Sequence, residues 1–291
     1  MTTTVPFLKM NGLGNEILVV DLRQGGEALS ADVVRLWGAP DHPLHFDQLM
    51  ALHPGQNGAV ADMRIYNCDG SESSACGNGT RCVAAYLMAE SGCRALVLDS
   101  AAGRLMTTAG ERLDQITVDM GAPRFGWAEI PLAQPVEDTR AVRFDLPGAG
   151  LPATFSAVSM GNPHAIFFVP DLDAFDLAVV GPKVEHHPLF PQKVNLSLVR
   201  VDSPEAVTMK VWERGAGATL ACGTAACAIA AAGARAGLTK RQVAVTLPGG
   251  VLHLDWRESD GHMLMTGPAT HEFSGRLDPL TGAFARMAEA A

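Results

Sequence analysis

The chain reads as short apolar runs rich in β-branched residues, punctuated by Gly, Pro or Asp and interrupted by two long Ala-rich stretches. Runs at 16–22, 61–67, 96–98, 115–120, 155–158, 165–169, 193–200, 206–213 and 243–247 predict strands. The Ala-rich stretches 78–91 and 224–237 predict helices, each closed by a glycine in C-cap position, Gly92 and Gly237. They are apolar on nearly all sides, so they read as core helices wrapped by the strands of their own half, and Leu87, Met88 and Ile229 read as packing residues. Near the end, Leu277, Leu280, Phe284 and Met287 show helical spacing and predict a short amphipathic helix, with a frayed terminus as the equal alternative.

The pattern repeats. Gly14-Asn15 recurs as Gly161-Asn162 and Gln48 is answered by the amide Asn195, both 147 positions on. Tyr66-Asn67 meets Trp212-Glu213, and Cys76 meets Cys222, at 146. Met120-Gly121-Ala122-Pro123 is echoed at 145 by Met265-Thr266-Gly267-Pro268. Five landmarks within two residues of one offset indicate a duplicated unit. The expectation is an α+β fold of two similar pseudo-symmetric halves, each a curved, mostly antiparallel sheet around its central helix.

Composition narrows the function. A chain of 291 residues fits two domains of roughly 100–200 residues each, and 47% hydrophobic residues can fill two cores. A net charge of −9 offers no basic footprint for nucleic acid or an anionic membrane, which leaves small molecules as partners. The start shows no basic segment followed by a long apolar one, and no apolar run reaches the ~18 residues of a membrane span, so a cytoplasmic protein is expected. Six cysteines in a chain of this size do not read as a disulfide framework.

A lone intracellular cysteine is usually a small buried hydrophobe, and Cys68, Cys82, Cys93 and Cys227 take that reading. Cys76 and Cys222 do not. Each stands just before a predicted helix, where unpaired N–H groups and the positive end of the macrodipole favour an anion and can draw a thiol pKa from ~8.5 towards neutrality. Gly77-Asn78 and Gly223-Thr224 are small enough to let a ligand reach the backbone, and Asn or Thr suits an N-cap. One thiol on each side of a shared cleft is what proton exchange at a carbon stereocentre requires.

Lys9-Met10-Asn11-Gly12-Leu13-Gly14-Asn15, Phe46-Asp47-Gln48, Asn67-Cys68-Asp69-Gly70-Ser71-Glu72, Cys76-Gly77-Asn78-Gly79, Met160-Gly161-Asn162-Pro163-His164, Glu213-Arg214-Gly215-Ala216-Gly217 and Leu247-Pro248-Gly249-Gly250 follow one another in this order. With these motifs the chain resembles the diaminopimelate epimerase family, cofactor-independent two-cysteine epimerases of lysine biosynthesis, which also supply peptidoglycan precursors. The resemblance implies reversible inversion of one α-carbon of LL-2,6-diaminopimelate to the meso compound, without pyridoxal phosphate or metal. It implies a first domain of residues 1–122 with 269–291 and a second of 123–268. By motif match Cys76 and Cys222 are the catalytic pair, Cys222 the base in the LL-to-meso direction and Cys76 the donor. His164 and Glu213 match residues that tune the two thiols; without the match, His164 reads as a turn histidine. Asn15, Gln48, Asn67, Asn162, Asn195, Glu213 and Arg214 match substrate-binding residues, with Gly77, Asn78, Gly223 and Thr224 supplying N–H groups to the reacting carboxylate. Neutral amides suit a substrate that is dipolar at both ends, and Arg214 suits a distal carboxylate. A homodimer is expected, Phe273 standing where the family has a Tyr at a candidate dimer contact.

The chain departs from the pattern at the loop Asp41-His42-Pro43-Leu44-His45-Phe46, which replaces a Gly-rich one and puts the placement of Gln48 in question. Ala218 stands for a common Glu, Ala225 for Gly and Thr224 for Ser. Three rival readings stay open: a proline or hydroxyproline racemase of the same fold class, against which the polar Asn67, Asn195 and Arg214 argue; a thiol redox protein; and a metal module built on His42, His45, His53, His186, His187 and nearby cysteines, whose spacing is looser than zinc sites show.

Overall fold

Residues 61–67 and 206–213, which alternate apolar and polar positions, fold as strands with those bounds in the computed structural model, which describes residues 4–25, 28–73, 75–110, 112 and 114–287. The chain forms two compact units, Met1–Val118 with Thr266–Ala291, and Asp119–Met265. In chain order the first carries β1 (Val5–Gly12), β2 (Asn15–Asp21), α1 (Ala31–Trp37), β3 (Gln48–Pro54), β4 (Ala61–Asn67), β5 (Glu72–Ser73), α2 (Gly77–Ser91), β6 (Ala95–Ser100), β7 (Gly103–Ala109) and most of β8 (Gln115–Asp119). The second carries β9 (Val142–Arg143), β10 (Thr154–Ser159), β11 (Pro163–Phe168), α3 (Leu177–Glu185), β12 (Asn195–Ser203), β13 (Ala206–Glu213), β14 (Gly217–Ala218), α4 (Gly223–Arg235), β15 (Gln242–Leu247) and β16 (Gly250–Trp256). The chain returns to the first unit within β17 (Met263–Pro268) and ends with β18 (Thr270–Leu277) and β19 (Phe284–Arg286).

The architecture is α+β, and the duplication is written in the strand register. In the first unit β2 runs parallel to β3, and β4 pairs antiparallel with β3 and β5 and parallel with β6, which turns back into β7. The second unit repeats this with β11, β12, β13, β14, β15 and β16. Ile17↔Gln48 corresponds to His164↔Asn195, Leu49↔Tyr66 to Leu196↔Trp212, Tyr66↔Glu72 to Trp212↔Ala218 and Leu98↔Leu105 to Val245↔Leu252. Side chains alternate faces along a strand, so a one-residue slip would turn each set outward; the shared register preserves which residues face the helix.

That helix is the centre of each unit. α2 packs on β1, β2, β3, β6 and β7, and α4 on the matching β10, β11, β12, β15 and β16. Cys82, Val83, Ala84, Leu87 and Met88 of α2 are buried, as is the run Ala225–Gly233 of α4, where Ala and Gly let strands close in on every side. α2 ends as predicted on Gly92 in the left-handed conformation (φ 71°). α4 ends earlier, capped by Ala236, and Gly237 takes the left-handed turn after it.

Several expectations are corrected. Both helices start one residue sooner than predicted, at Gly77 and Gly223, so the cysteines themselves are the N-cap residues. The tail is no helix: Leu277 pairs with Phe284 and Gly275 with Arg286 in a hairpin, while Leu280 lies exposed in the turn. Phe273 and Phe284 each meet Phe7 edge-on, at 6.0 and 5.8 Å. α1 and α3 carry no helical prediction, α3 because Gly181-Pro182 breaks the pattern. Cys82 and Cys227 are buried, whereas Cys68 and Cys93 are exposed. Among the described residues no helix is long and apolar enough to cross a membrane.

The turn that carries Asn67 is braced from α1. A Cβ on Gly38, the C-cap of α1, would lie 2.5 Å from Cys68 O and 2.8 Å from its Cα. Gly38→Ala must displace backbone rather than a side chain, so a loss of about 1–3 kcal/mol is expected in denaturant unfolding; a melt identical to wild type would show that the turn is not held there.

Candidate active site

The predicted site residues of the first unit lie where β2 and β3 begin and β4 ends, and at the start of α2. Gln48 opens β3 opposite Asn67 of β4, and directly opposed residues present their side chains on one face. Cys76 caps α2: its Sγ accepts the Gly79 N–H at 3.3 Å and lies 3.5 Å from Gln48 Oε1, to which the thiol donates. A sulfur here takes the place usually held by a Ser or Asp oxygen. Asn67 begins a tight turn in which its Nδ2 donates to Ser71 Oγ at 3.0 Å and its backbone N–H to Ser71 O at 2.8 Å. Asn15 opens β2 opposite Gly12, and a Cβ on Gly12 would come within 3.1 Å of Asn78 Cβ, so this hairpin leans on the first turn of α2. The buried Asn15 Oδ1 has no partner in the structure, which costs about 1–3 kcal/mol unless a ligand or water fills it.

The atypical loop before Gln48 does not move it. Leu44 and Phe46 are fully buried, and the buried Lys9 ammonium ties the loop down, bonding His45 O and, at 2.6 Å, Glu16. Gln48 therefore keeps its register with Ile17 and Asn67.

In the second unit Cys222 caps α4 without a side-chain cap bond, and its surroundings act against the predicted fall in thiol pKa. Burial pushes the Cys222 thiol well above its usual value, and the hydrogen-bonded Glu213 carboxylate pushes it further; the Thr224 hydroxyl, 3.5 Å from Sγ, opposes them more weakly. Glu213 ends β13 and accepts a hydrogen bond from Thr219 at 2.5 Å. At rest Cys222 is a protonated thiol.

His164 lies in β11, fully buried, and not in a turn. Burial, and then the charge of Arg214, lower its pKa to about 3, so the ring is neutral. Its Nε2 lies 2.9 Å from Asn162 Oδ1 while Nδ1 is buried without a partner. Buried N–H groups are rarely orphaned, whereas a lone pair is more often left so; the proton therefore sits on Nε2 and is donated to Asn162. That orients the Asn162 amide, whose Nδ2 donates to Thr224 Oγ1 at 3.2 Å and leaves the Thr224 hydroxyl hydrogen for Cys222.

Asn195 is held by the fold. It opens β12 beside His164, its Nδ2 donates to Pro163 O at 2.9 Å, and its Oδ1 accepts the Arg214 N–H at 2.9 Å. Arg214 is exposed, with Nη1 donating to Gln192 O at 2.9 Å. The predicted residues thus fall into two sets, Asn15, Gln48, Asn67, Cys76, Gly77 and Asn78 in one unit and Asn162, His164, Asn195, Glu213, Arg214, Cys222, Gly223 and Thr224 in the other. First-turn amides of a helix lack intrahelical acceptors, which leaves Gly77-Asn78 and Gly223-Thr224 suited to an anion.

Two residues were missed. Arg81 is fully buried in α2, where Nη2 donates to Asn78 Oδ1 at 2.9 Å and Nε to Pro268 O at 3.2 Å. A charge inside an Ala-rich core helix was the available signal. Glu185, at the end of α3, accepts hydrogen bonds from Trp212 and Gly215 in the turn that carries Arg214. Its helix was not predicted, so nothing marked it.

Comparison with known proteins places the chain among relatives. The diaminopimelate epimerase family model matches residues 7–126 and 156–272, the stretches that carry every residue of both sets. A diaminopimelate epimerase of Afipia carboxidovorans is 50% identical over 276 residues, covering 94% of this chain and 95% of that protein. One from Chelativorans sp. is 49% identical over 296 residues, covering 100% of both. Among solved structures, a Bacillus anthracis phenazine biosynthesis protein of the PhzF family superposes with TM-score 0.65 at 18% identity, covering 94% of this chain and 99% of that one. A hydroxyproline epimerase from Agrobacterium vitis gives 0.64 at 16% identity, covering 95% and 92%. The two structures share the fold; the sequence relatives, matched along nearly their whole length, share the motifs, and by them this chain belongs to the diaminopimelate epimerase family.

Proposed function

We propose that the chain interconverts LL- and meso-2,6-diaminopimelate by two-base proton exchange, with Cys76 and Cys222 as the acid–base pair. The observation that carries this reading is the position of the two sulfurs: each caps the central helix of its own unit, at equivalent points of a duplicated fold. Such a pair must be in unlike states, because two thiolates could deliver no proton and two thiols could remove none. At rest both sulfurs carry protons, so one proton must pass to Glu213 or to solvent before turnover, and the surroundings of the two sulfurs differ. Cys76 donates to a neutral amide, whereas Cys222 sits beside a carboxylate that makes its thiolate, once formed, a strong base for a weakly acidic α-proton. Glu213 is then the thiol-tuning group of Cys222, and the His164–Asn162–Thr224 chain sets the hydroxyl that steadies the sulfur when it is charged.

Substrate recognition follows the same residues. The first-turn amides at Gly77-Asn78 and Gly223-Thr224 take the reacting carboxylate and stabilise the enolate-like charge on it when the α-proton leaves. Asn15, Gln48, Asn67, Asn162, Asn195 and Glu213 serve the dipolar ends, and Arg214 the distal carboxylate. A cytoplasmic homodimer working in lysine and peptidoglycan precursor synthesis, each half of the chain supplying one thiol, accords with this reading.

Deuterium incorporation into each diaminopimelate isomer in heavy water tests the assignment. Cys76→Ala and Cys222→Ala are each expected to lower epimerisation by about 10²–10⁴-fold or more, since each removes the group serving one face. Near-normal turnover by either variant, or faster turnover of hydroxyproline by the wild type, would reject it.

The neutral His164 gives a second test. Its folded pKa, about 3, lies below the 6.5 of an exposed imidazole, so below pH 6.5 the unfolded chain binds the extra proton. Stability is therefore lost as pH falls from about 6.5 towards 3. His164→Gln should lose less stability than wild type between pH 7 and pH 5 in urea titrations; equal losses would mean that the ring is charged in the folded protein.

A further inference from the structure

α3 takes no part in the proposed proton transfer, yet it ends in a carboxylate only 4% exposed. Glu185 Oε2 accepts the Trp212 indole N–H at 2.7 Å, Oε1 accepts the Gly215 N–H at 3.1 Å, and Lys193 Nζ lies 3.5 Å from Oε1. A buried carboxylate is costly unless its oxygens are paired, and here each oxygen has a hydrogen-bond donor.

Those donors belong to the segments around Glu213 and Arg214. Trp212 precedes them in β13 and Gly215 follows them at φ 79°, in a turn closed by the Ala216 N–H to Glu213 O at 3.1 Å. The indole is wedged against α3 so closely that a Cβ on Gly181 would lie 2.3 Å from the ring. On the other side, Lys193 is a non-glycine residue at φ 60°, and its neighbour Gln192 offers the carbonyl that holds the Arg214 guanidinium. Glu185 thus ties together the residue before Glu213, the residue after Arg214 and the turn that grips the Arg214 side chain. We propose that Glu185 is a positioning residue, whose buried carboxylate fixes the Glu213-Arg214 pair for substrate through Trp212, Gly215 and Lys193. This rests on the reading of Glu213 and Arg214 as site residues.

Glu185→Gln keeps the shape but removes the charge and one acceptor, and Trp212→Phe removes the indole donor while keeping a ring against Gly181. Steady-state epimerisation of diaminopimelate, expressed per folded molecule from circular dichroism, reads both. The expected result is a rise in KM together with a fall in kcat/KM of about tenfold or more, in the same sense for the two variants, because small misplacement of binding groups is expensive. Wild-type kcat and KM per folded molecule in both variants would overturn the proposal. So would activity that falls only with the folded fraction at unchanged KM, which would make Glu185 a residue of the fold alone. Glu213→Gln and Arg214→Ala in the same assay separate the two readings. If these are silent, it is the assignment of Glu213 and Arg214 that fails; if they are crippled while Glu185→Gln is not, the fault lies with Glu185.

Discussion

The start of one buried helix in each unit is the constraint on which the rest depends. A helix leaves its first amides without partners, and burying that end is tolerable only if side chains, solvent or a ligand complete them. In the first unit the Cys76 sulfur completes the Gly79 amide. The Ala-rich composition of α4 follows from its burial, since strands that converge on a helix from several sides leave little room for large side chains. Helix, sheet register and cysteine placement are therefore one solution.

The periodic parts of the fold were legible because their burial is periodic. β4 and β13 alternate buried and less buried positions, and both were read with their full bounds. The offset between landmarks reappears in the register pairs because hydrogen-bonded neighbours, more than individual side chains, are what the duplicated scaffold fixes. α3 was opaque for a physical reason. Gly181 is there to admit the Trp212 ring and Pro182 sits within the helix, so tertiary packing overrides a local pattern that says turn. The tail was misread because Leu277 and Phe284, seven apart, face each other across a hairpin as well as they would along a helix.

Electrostatics was the least legible level. A helix N-terminus argues for a low thiol pKa, and that argument takes no account of what a sulfur 5% exposed loses by giving up water, nor of a carboxylate hydrogen-bonded to it. Sequence could place Glu213 near the site by motif, but its sign of influence on Cys222 depends on the approach of β13 to the α4 start. His164 is similar. Its neutrality comes from complete burial beside Asn195 in the sheet, and its proton position from the lack of a partner on Nδ1.

The proposed two-thiol reaction uses both the duplication of the scaffold and the divergence of its chemistry. Gln48 and Asn195 occupy equivalent register positions, as do Asn67 and Glu213, yet the first pair keeps an amide in both units while the second exchanges an amide for a carboxylate. That exchange places a carboxylate beside Cys222, which burial and this negative neighbour hold as a thiol, whereas Cys76, at a half-buried cap, bonds the Gln48 side chain and the Gly79 amide. An epimerase whose substrate and product are diastereomers gains nothing from two identical thiols, because its two faces never meet the same molecule. The shared fold places the sulfurs alike, and the change at one register position puts a carboxylate beside Cys222 that raises its thiol pKa without moving either backbone.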